Sequence, residues 1–545
     1  MSRSREKWKQ KAKQAQQALD QLKARPQQTK AKEAAGQEAE KGCEIADVQE
    51  ADKHLRAKGH HYPAYVVQLG LEQMLTSLTS LRGAQKTFAS FSRYVELPTP
   101  SYNSIRQWLL RVGLYELQQQ PVLGSDWIMM VDMTIELGEL KCLAIIGVPA
   151  RQLADKGYAL GHQDVQVLDL GLLSKSSGEI VQERLNKVSE RVGQPLQIIS
   201  DQGSDIKKGI QLYQQQHPAV IWTYDVTHQM ALLLKKELAG DETYQSFMRH
   251  CTQSRQQVKQ TALYFLAPPK QRLKARYLNI EQHLDWAQQV LLYQAQADFS
   301  AINPAFSLDK TALMALQSQL DPATWLHLTQ LEPKIYPDQL SFASHLSQEL
   351  GADRWTEYAP ALALAADLGR RLFVEKFGWL SAFQTDIRRY AQMMGLVRTL
   401  EVQLKHHGLS KTAPAEFAAS TAALSLPPRL RLFKAHILVY LRTQAAAIPA
   451  DTSLLASSDV LESVFGKYKL FSAERSFNEI GQLILTIPLL TVKLTPQRIT
   501  QALQTVHASD VRAWASNVFG QSMLSKRRAV FKSLIPSHNL QEKPT

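Results

Sequence analysis

The chain has 545 residues, of which 44% are hydrophobic and 21% are charged, as in soluble globular proteins that are too long for a single core. No apolar run is long enough to span a membrane, the first residues lack the apolar core of a secretory signal, and the three cysteines are isolated, which argues against zinc ribbons and disulfide frameworks. The 63 basic and 50 acidic side chains give a net charge of +13, which favours a polyanionic partner, nucleic acid first and an anionic membrane second.

Two regions with helical patterns come first. Residues 1–59 are rich in Gln, Lys, Ala and Glu, and we interpret them as a basic, weakly ordered tail with one helix that either contacts phosphates or is simply solvated. Residues 60–120 predict a helix-turn-helix-like DNA-binding domain, in which Ser101 caps a helix over Asn103–Val112. The apolar side chains of that helix share one face and its arginines point elsewhere, a pattern that a plain three-helix bundle also shows.

An α/β region follows over residues 121–236. Its apolar runs predict strands in DWIMMVDMTIEL, KCLAIIGVPA, VQVLDLGLLS, LQIISD and AVIWTYD, with helices after the third, fourth and fifth strands. The order is therefore β-β-β-α-β-α-β-α, and the first two strands are joined by a turn at Gly138–Glu139. Such an order predicts a mixed sheet with helices on its faces.

The rest of the chain is mainly helical. Residues 237–450 place Ala, Leu and aromatic side chains at helical spacing and predict an all-helical domain inserted into the α/β region. Residues 451–495 are expected to return to the α/β region with one further helix. Residues 496–545 are expected to form a basic helical tail.

Three acidic residues stand out in this layout. Asp132 interrupts an apolar strand, where an ionised carboxylate is costly unless it is paired or binds a cation. Asp201 follows the fourth strand, at the sheet edge where such folds bind ligands, although it could also cap the next helix together with neighbouring serines. Glu462 lies on a helix with apolar neighbours, and Glu474 and Glu479 are alternatives to it.

Carboxylates on a first strand, a fourth strand and a late helix are what an RNase H-like nuclease or transferase core requires. Mg²⁺ prefers oxygen ligands, and two such ions about 3.5–4 Å apart can activate the attacking oxygen and stabilise the leaving one in phosphoryl displacement. In the stretch SDQGSD, Gly203 would allow a sharp turn beside the metals, because glycine tolerates positive φ.

Four motifs occur in the order found in DDE transposases, which the sequence resembles. VDMT matches the strand of the first Asp, ISDQGSD that of the second, YDVTHQMALLLKKEL the Asp-x-x-His signature that opens a helix after the fifth strand, and LESVFGKYK the helix of the final Glu. The plan is similar to that of the hAT, Mutator-like and P-element-like superfamilies, and the absence of an N-terminal zinc finger favours a bacterial insertion-sequence transposase. Leu455 and Ser458 depart from the bacterial pattern, which has Tyr and Arg in their places.

The resemblance implies an α/β RNase H-like core, a mixed sheet flanked by helices, with a large all-α insertion and an N-terminal helix-turn-helix region. It implies that Asp132, Asp201 and Glu462 bind two Mg²⁺ ions, for which Mn²⁺ can substitute, during strand nicking and 3′-hydroxyl strand transfer at transposon ends. Asp225 and His228 either support the site or lock a structural turn.

The expected partners are double-stranded DNA, at the terminal inverted repeats and at the target, and further copies of the chain in a dimer or larger synaptic assembly. We expect a cytoplasmic protein without a membrane partner, associated with the nucleoid in a bacterium. Two other functions stay open: an RNase H-like nuclease or resolvase without strand transfer, and a catalytically inactive, domesticated DNA-binding protein. Several basic side chains near the motifs either contact DNA or serve solubility: Lys207, Lys208, Lys467, Lys469, Arg106 and Arg111.

Overall fold

A computed structural model describes most of the chain between residues 55 and 533. The described residues are 55–119, 123–124, 126–135, 140–261, 263–271, 279–296, 318, 322, 371, 373–472, 480–520 and 523–533. The predicted helix in residues 1–54, the turn at Gly138–Glu139 and the alternative acids Glu474 and Glu479 lie outside them.

Seven strands and 17 α-helices can be delimited in the described part of the chain. The strands are β1 (Trp127–Ile135), β2 (Lys141–Pro149), β3 (Gln166–Leu173), β4 (Gln197–Ser200), β5 (Ile221–Tyr224), β6 (Leu409–Ser410) and β7 (Ser453–Leu454). The helices up to residue 258 are α1 (Ala64–Leu75), α2 (Leu81–Phe91), α3 (Tyr102–Gln118), α4 (Leu153–Lys156), α5 (Gly178–Val192), α6 (Ser204–Gln216), α7 (Val226–Leu238) and α8 (Glu242–Val258). The later helices are α9 (Ile280–Gln296), α10 (Gln384–His407), α11 (Ala413–Ser420), α12 (Pro428–Ala446), α13 (Asp459–Ser472), α14 (Thr486–Leu490), α15 (Pro496–Thr505), α16 (Ala508–Phe519) and α17 (Met523–Ser533).

The centre of the molecule is a five-stranded mixed sheet in the order β3-β2-β1-β4-β5. β1, β2 and β3 pair antiparallel, whereas β4 runs parallel to both β1 and β5. The predicted order of the five strands is confirmed, although the short helix α4 lies between β2 and β3, where no helix was predicted, and a mixed sheet flanked by helices is compatible with the predicted RNase H-like core. The parallel register pairs Val131 with Ser200, so Asp132 and Asp201 come next on neighbouring strands at the same sheet edge.

The two faces of the sheet bury different helices. Met129 and Val131 point to the face that is covered by α5 and α6, where Gly209 allows close packing because a side chain there would overlap Val181. Ile128 and Met130 point to the other face, which packs against the larger core. Because side chains alternate along a strand, Asp132 belongs to this second face, on which α13 contacts β1.

The helices near the two ends of the described chain pack together. Ser101 caps α3 as predicted, but α3 is longer than predicted and packs against α14, α15 and α16 as well as α1 and α2. Glu116 near the end of α3 is buried and accepts two hydrogen bonds of 2.6 Å from Arg498 on α15. The segment predicted as a tail from residue 496 therefore begins with helices that belong to the core.

The region predicted as an all-helical insertion is mainly helical where it is described. It contains α8 to α12, and two short strands close it, since β6 pairs antiparallel with β7. The chain after β7 returns to the sheet, where the Gln197 side chain bonds both the N–H and the carbonyl of Leu455, and Val226 donates to the Ala456 carbonyl. Among the described residues, none of the helices combines the length and the apolar character that crossing a bilayer requires.

Candidate active site

Asp132 lies near the end of β1 and has an unusual carboxyl group. Partial burial, with a contribution from the charge of Asp201, raises the pKa of Asp132 to about 6. Its Oδ1 accepts a 2.6 Å hydrogen bond from the Met133 N–H, and the charges of His228 and Lys469 act in the opposite direction to burial. The charges of Asp201, His228 and Lys469 therefore all act on the Asp132 carboxylate.

Asp201 follows β4 directly and turns the chain towards α6. Its Oδ1 accepts the Gly203 N–H at 3.0 Å, whereas the residue that caps α6 is Gly203, without a side-chain cap. The alternative prediction of Asp201 as the helix cap is therefore wrong. The expected positive φ at Gly203 is also wrong, since φ is −52°, and a side chain there would instead crowd the Asp201 carboxylate.

Glu462 lies in the first turn of α13, half-exposed, beside His228 of α7. The distance from His228 Nε2 to Glu462 Oε1 is 3.4 Å. Burial raises the pKa of Glu462, and the charge of Asp132 adds to that rise while His228 opposes it. The charge of Asp201 thus acts on Asp132, and that of Asp132 on Glu462, although the three acids come from positions far apart in the chain.

Asp225 and His228 form the predicted turn lock at the start of α7. Asp225 caps the helix, because its Oδ1 accepts the His228 N–H at 2.9 Å and lies 3.3 Å from His228 Nδ1. Its Oδ2 accepts the N–H and the hydroxyl of Ser458, just before α13. Although burial opposes it, these hydrogen bonds hold the pKa of Asp225 below its usual value.

The same contacts make His228 a cation. The hydrogen bond that His228 donates to the Asp225 carboxylate, and the nearby charges of Asp225, Glu462 and Asp201, raise the pKa of His228 to about 9. Its imidazolium therefore stands among the candidate acids and partly neutralises them. The contact between Asp225 and His228 is consequently part of the candidate site.

The predicted basic residues fall into two groups. The charge of Lys469 lowers the pKa of Asp132, against the effect of burial, and its Nζ lies 5.9 Å from the centre of the Phe465 ring. Burial and the charge of Lys467 lower the pKa of His162. Lys207 is exposed on α6, and Lys208 beside it pairs with Glu179 at 2.5 Å.

Arg106 and Arg111 are used inside the protein. Arg106 donates to the Gln482 side chain, and Arg111 donates to the backbone carbonyls of Leu503 and Val506. These contacts attach α3 to the helices that follow α13. DNA contact through the two arginines stays a prediction, and their described contacts give it no support.

Three residues that the sequence did not single out belong to the same region. His162 Nε2 lies 2.9 Å from the hydroxyl of Ser463, the residue after Glu462. Asp459 accepts from Thr227 at 2.8 Å and pairs with Lys405 at 2.9 Å, which fixes the start of α13. The buried hydroxyl of Thr134 has no hydrogen-bond partner in the described part of the chain. Only Thr134 had a local signal, since it follows Asp132 by two positions and so shares its face.

The candidate acids fit a divalent cation by their chemistry more than by their present positions. Carboxylate oxygens are the ligands that Mg²⁺ prefers. Within the described residues, however, no three His, Cys, Asp or Glu side chains are grouped closely enough to hold a metal ion. Glu462 is engaged by His228, so a cation bound to the acids would compete with His228 for that carboxylate.

Comparisons with known proteins find little. No family model matches the sequence, and no curated protein matches it either. Among solved structures, one similar chain belongs to a Drosophila P element transposase strand transfer complex, with 11% sequence identity over 76% of this chain and 99% of that chain, and a TM-score of 0.26. A likeness of this size carries no weight for the function of this chain.

Proposed function

We propose that the protein is a DDE-type DNA transposase in which Asp132, Asp201 and Glu462 form the catalytic site. One observation carries the proposal. Asp132 near the end of β1, Asp201 at the exit of β4 and Glu462 on α13 all lie within electrostatic range of His228, although 261 residues separate the last two in the sequence. Acidic side chains brought together from distant parts of a chain are typical of sites that bind cations.

In this proposal the three carboxylates hold two Mg²⁺ ions, for which Mn²⁺ can substitute. Bound there, the ions would supply Lewis acidity to the attacking and leaving oxygens during in-line displacement at phosphorus. No covalent bond between protein and DNA is required, so no Ser or Tyr nucleophile needs to be assigned. The attacking groups are water for strand nicking and then the freed 3′-hydroxyl for strand transfer.

The neighbouring side chains have distinct roles in this reaction. Lys469, Lys467 and Lys207 attract the phosphate backbone by charge, which contributes affinity without sequence preference. His228 positions Glu462 and balances the charge of the acids. The DNA partners are the inverted repeats at the element ends and a target duplex, and bringing two ends together requires at least two copies of the chain.

The test is strand joining with a labelled element end and a plasmid target. We expect Mg²⁺-dependent nicking and joined product with the wild-type protein. Asp201→Asn is expected to reduce both by at least 1,000-fold, because the variant lacks one charged ligand, and to leave DNA affinity within about threefold.

The outcomes separate the alternatives. Nicking without joined product would identify a nuclease or resolvase. DNA binding without any Mg²⁺-dependent cleavage by the wild-type protein would indicate an inactive DNA-binding protein. Equal cleavage by the wild type and Asp201→Asn would refute the assigned site, and Asp155→Asn, an exposed acid elsewhere, is the matched control.

A further inference from the structure

The exposed face of α13 has an acidic side and a side that carries hydrogen-bond donors. Successive residues of an α-helix are about 100° apart, so Ser463 and Lys467 lie on one side, within about 40° of each other and about 6 Å apart along the axis. Glu462 borders the other side of the face, about 140° from Lys467, and Gly466 lies between them. Lys467 is half-buried, and the other three residues are exposed. A molecule lying across this face would therefore contact both sides.

His162 reaches the donor side of α13 from a separate part of the chain. It lies in the segment between α4 and β3, and its Nε2 atom is 2.9 Å from the Ser463 hydroxyl oxygen. The charge of Lys467 acts together with burial to lower the pKa of His162, so these two side chains lie within electrostatic range of each other. Three side chains from two elements are thus close together beside the candidate acids.

These three side chains can donate hydrogen bonds to a ligand. If His162 Nε2 carries the proton and donates to Ser463, the hydrogen of the serine hydroxyl remains for another acceptor. If Ser463 donates to Nε2 instead, the N–H at Nδ1 of His162 remains. The pair therefore keeps one hydrogen for a ligand in either case, and the Lys467 ammonium group adds further N–H donors and a positive charge.

The carboxylates nearest to these residues in sequence already have basic partners. Asp164 pairs with Lys156 at 2.6 Å, and Glu462 lies 3.4 Å from His228. The charge of Lys467 is therefore available to a ligand that comes from solvent. A ligand that complements a positive charge and several donors is an anion with several acceptor oxygens, as a phosphate group is.

Gly466 leaves the backbone of α13 uncovered between the acidic side and the donor side. A β-carbon added there would have no atom within 4 Å, so no packing contact of the described residues requires a glycine. Glycine reduces the stability of a helix relative to alanine, and it allows a ligand to come close to the backbone. The helix is thus open to close approach at the point where a ligand would cross it.

We propose that His162, Ser463 and Lys467 bind a phosphate of the DNA strand that is cut, close to the scissile one, and that this strand crosses α13 at Gly466. The proposal rests on the proposed function for the identity of the substrate. The contacts would hold the strand beside Glu462 without touching the reacting atoms. Because they are made to phosphate, they carry no sequence preference.

The test replaces single phosphates of a labelled element end by uncharged methylphosphonates, one position at a time, and measures affinity by fluorescence anisotropy without Mg²⁺. For the wild type we expect one position near the cleavage site at which the replacement weakens binding about tenfold, because a charged contact is lost. His162→Gln/Lys467→Gln should bind the unmodified DNA about tenfold more weakly, and the replacement at that position should then cost less than about twofold, because the contact is already absent.

Lys187→Gln/His217→Gln is the matched control, because it removes the same two residue types from α5 and from the end of α6, on the other face of the sheet. This variant should respond to each methylphosphonate as the wild type does. Equal responses of the wild type and His162→Gln/Lys467→Gln at every position would overturn the proposal. Thermal unfolding midpoints verify that the variants are folded.

Gly466→Gln tests the path of the strand. Glutamine is uncharged, larger than glycine and more favourable in a helix, so we expect an unchanged or higher thermal midpoint together with a loss of affinity for the element end of at least about fivefold. Gly395→Gln on α10 is the control, because that glycine is also exposed and also has open space around an added β-carbon. Equal affinities of the two glycine variants would overturn the proposed path.

The result can be separated from the proposed catalytic function. Asp201→Asn should respond to the methylphosphonates as the wild type does. Strand joining without any methylphosphonate response that depends on His162 and Lys467 refutes the phosphate site alone. A response that depends on these two residues, in a protein that does not cleave DNA, refutes the transposase proposal alone.

Discussion

Asp132 occupies a position at which folding works against ionisation. A carboxyl group whose pKa rises from 3.8 to about 6 on folding is bound more tightly to its proton in the folded state than in the unfolded state. The folded state is therefore less stable above pH 6 than below pH 4, by roughly 2–3 kcal/mol from this group alone. A residue that reduces stability at neutral pH is typical of a functional site.

The raised pKa of Asp132 leads to a prediction for the stability of Asp132→Asn. The neutral amide does not bear the cost of ionisation, so we expect the variant to be more stable than the wild type by about 2 kcal/mol at pH 8 in a chelator. The difference should shrink as the pH falls through 6 and vanish near pH 4. Urea unfolding at a series of pH values measures it.

The matched control for that series is Asp155→Asn, because Asp155 is exposed and its removal should change stability by less than about 0.5 kcal/mol. A variant that is less stable than the wild type at every pH would contradict the account of the Asp132 environment.

The sequence predicted the acids but not the contacts between them. Asp132 and Asp201 could be found because each interrupts or ends an apolar strand, and a strand pattern is local. The pairing of His228 with Glu462 could not, since it joins positions on two helices separated by the long helical segment. The Gly203 prediction was wrong for a related reason: the Asp201 carboxylate, not a left-handed glycine, makes the turn after β4.

At the scale of elements, Asp225 joins α7 and α13, which a long and mainly helical segment separates in sequence. It caps α7 and also accepts two hydrogen bonds from Ser458, directly before α13. Its side chain is almost fully buried, so removing it would take the acceptor from four donors, the backbone N–H and Nδ1 of His228 and the N–H and hydroxyl of Ser458. Together with the contacts of Asp459, this carboxylate holds the start of α13, and with it Glu462, beside α7.

We therefore expect Asp225→Ala to lower the free energy of unfolding by about 3 kcal/mol or more. Ser177→Ala is the matched control, because Ser177 caps α5 and makes no comparable bond to another element in the described contacts. Loss of a helix cap alone costs about 1 kcal/mol. Equal losses in both variants, measured by urea unfolding, would show that the bonds to Ser458 add nothing.

The strand order was predictable because each strand is an apolar run with a clear end, and β1 to β5 match the predicted segments within a few residues. The packing partners of α3 were not predictable from the sequence. Its apolar spacing indicated one buried face, yet helices near the other end of the chain cover more of it, and spacing does not identify partners. The helix-turn-helix interpretation of residues 60–120 did not include these later helices and stays a prediction.

At the scale of the whole molecule, helix α3, which precedes the sheet in sequence, packs against the helices α14, α15 and α16, which follow α13. Gly113 lies where α3 crosses the segment before α14, and a side chain there would overlap the Leu485 carbonyl. Arg498 and Glu116 join the same regions by two charged hydrogen bonds. The sheet is thus supported by a helical layer that draws on both ends of the sequence.

Gly113→Ala should consequently destabilise the protein by about 2–3 kcal/mol, because added volume in a packed core forces the backbone apart. Gly395→Ala is the matched control, in the exposed interior of α10 with no atom within 4 Å of the added carbon. That change should stabilise by about 0.5–1 kcal/mol, as alanine favours a helix over glycine. Opposite signs in thermal unfolding would support the packing described; a neutral Gly113→Ala would contradict it.

The chain leaves the sheet for the long helical segment and later returns to it at an adjacent position. Val226 donates to the Ala456 carbonyl at 3.0 Å, so the departing and returning chains are fastened side by side. A segment whose two ends lie side by side does not change the distance between the elements that flank it, so insertions at such points are tolerated. The helical segment can therefore be lengthened, shortened or replaced without changing the spacing of the three acids, because that spacing is set by the sheet and by helices α7 and α13.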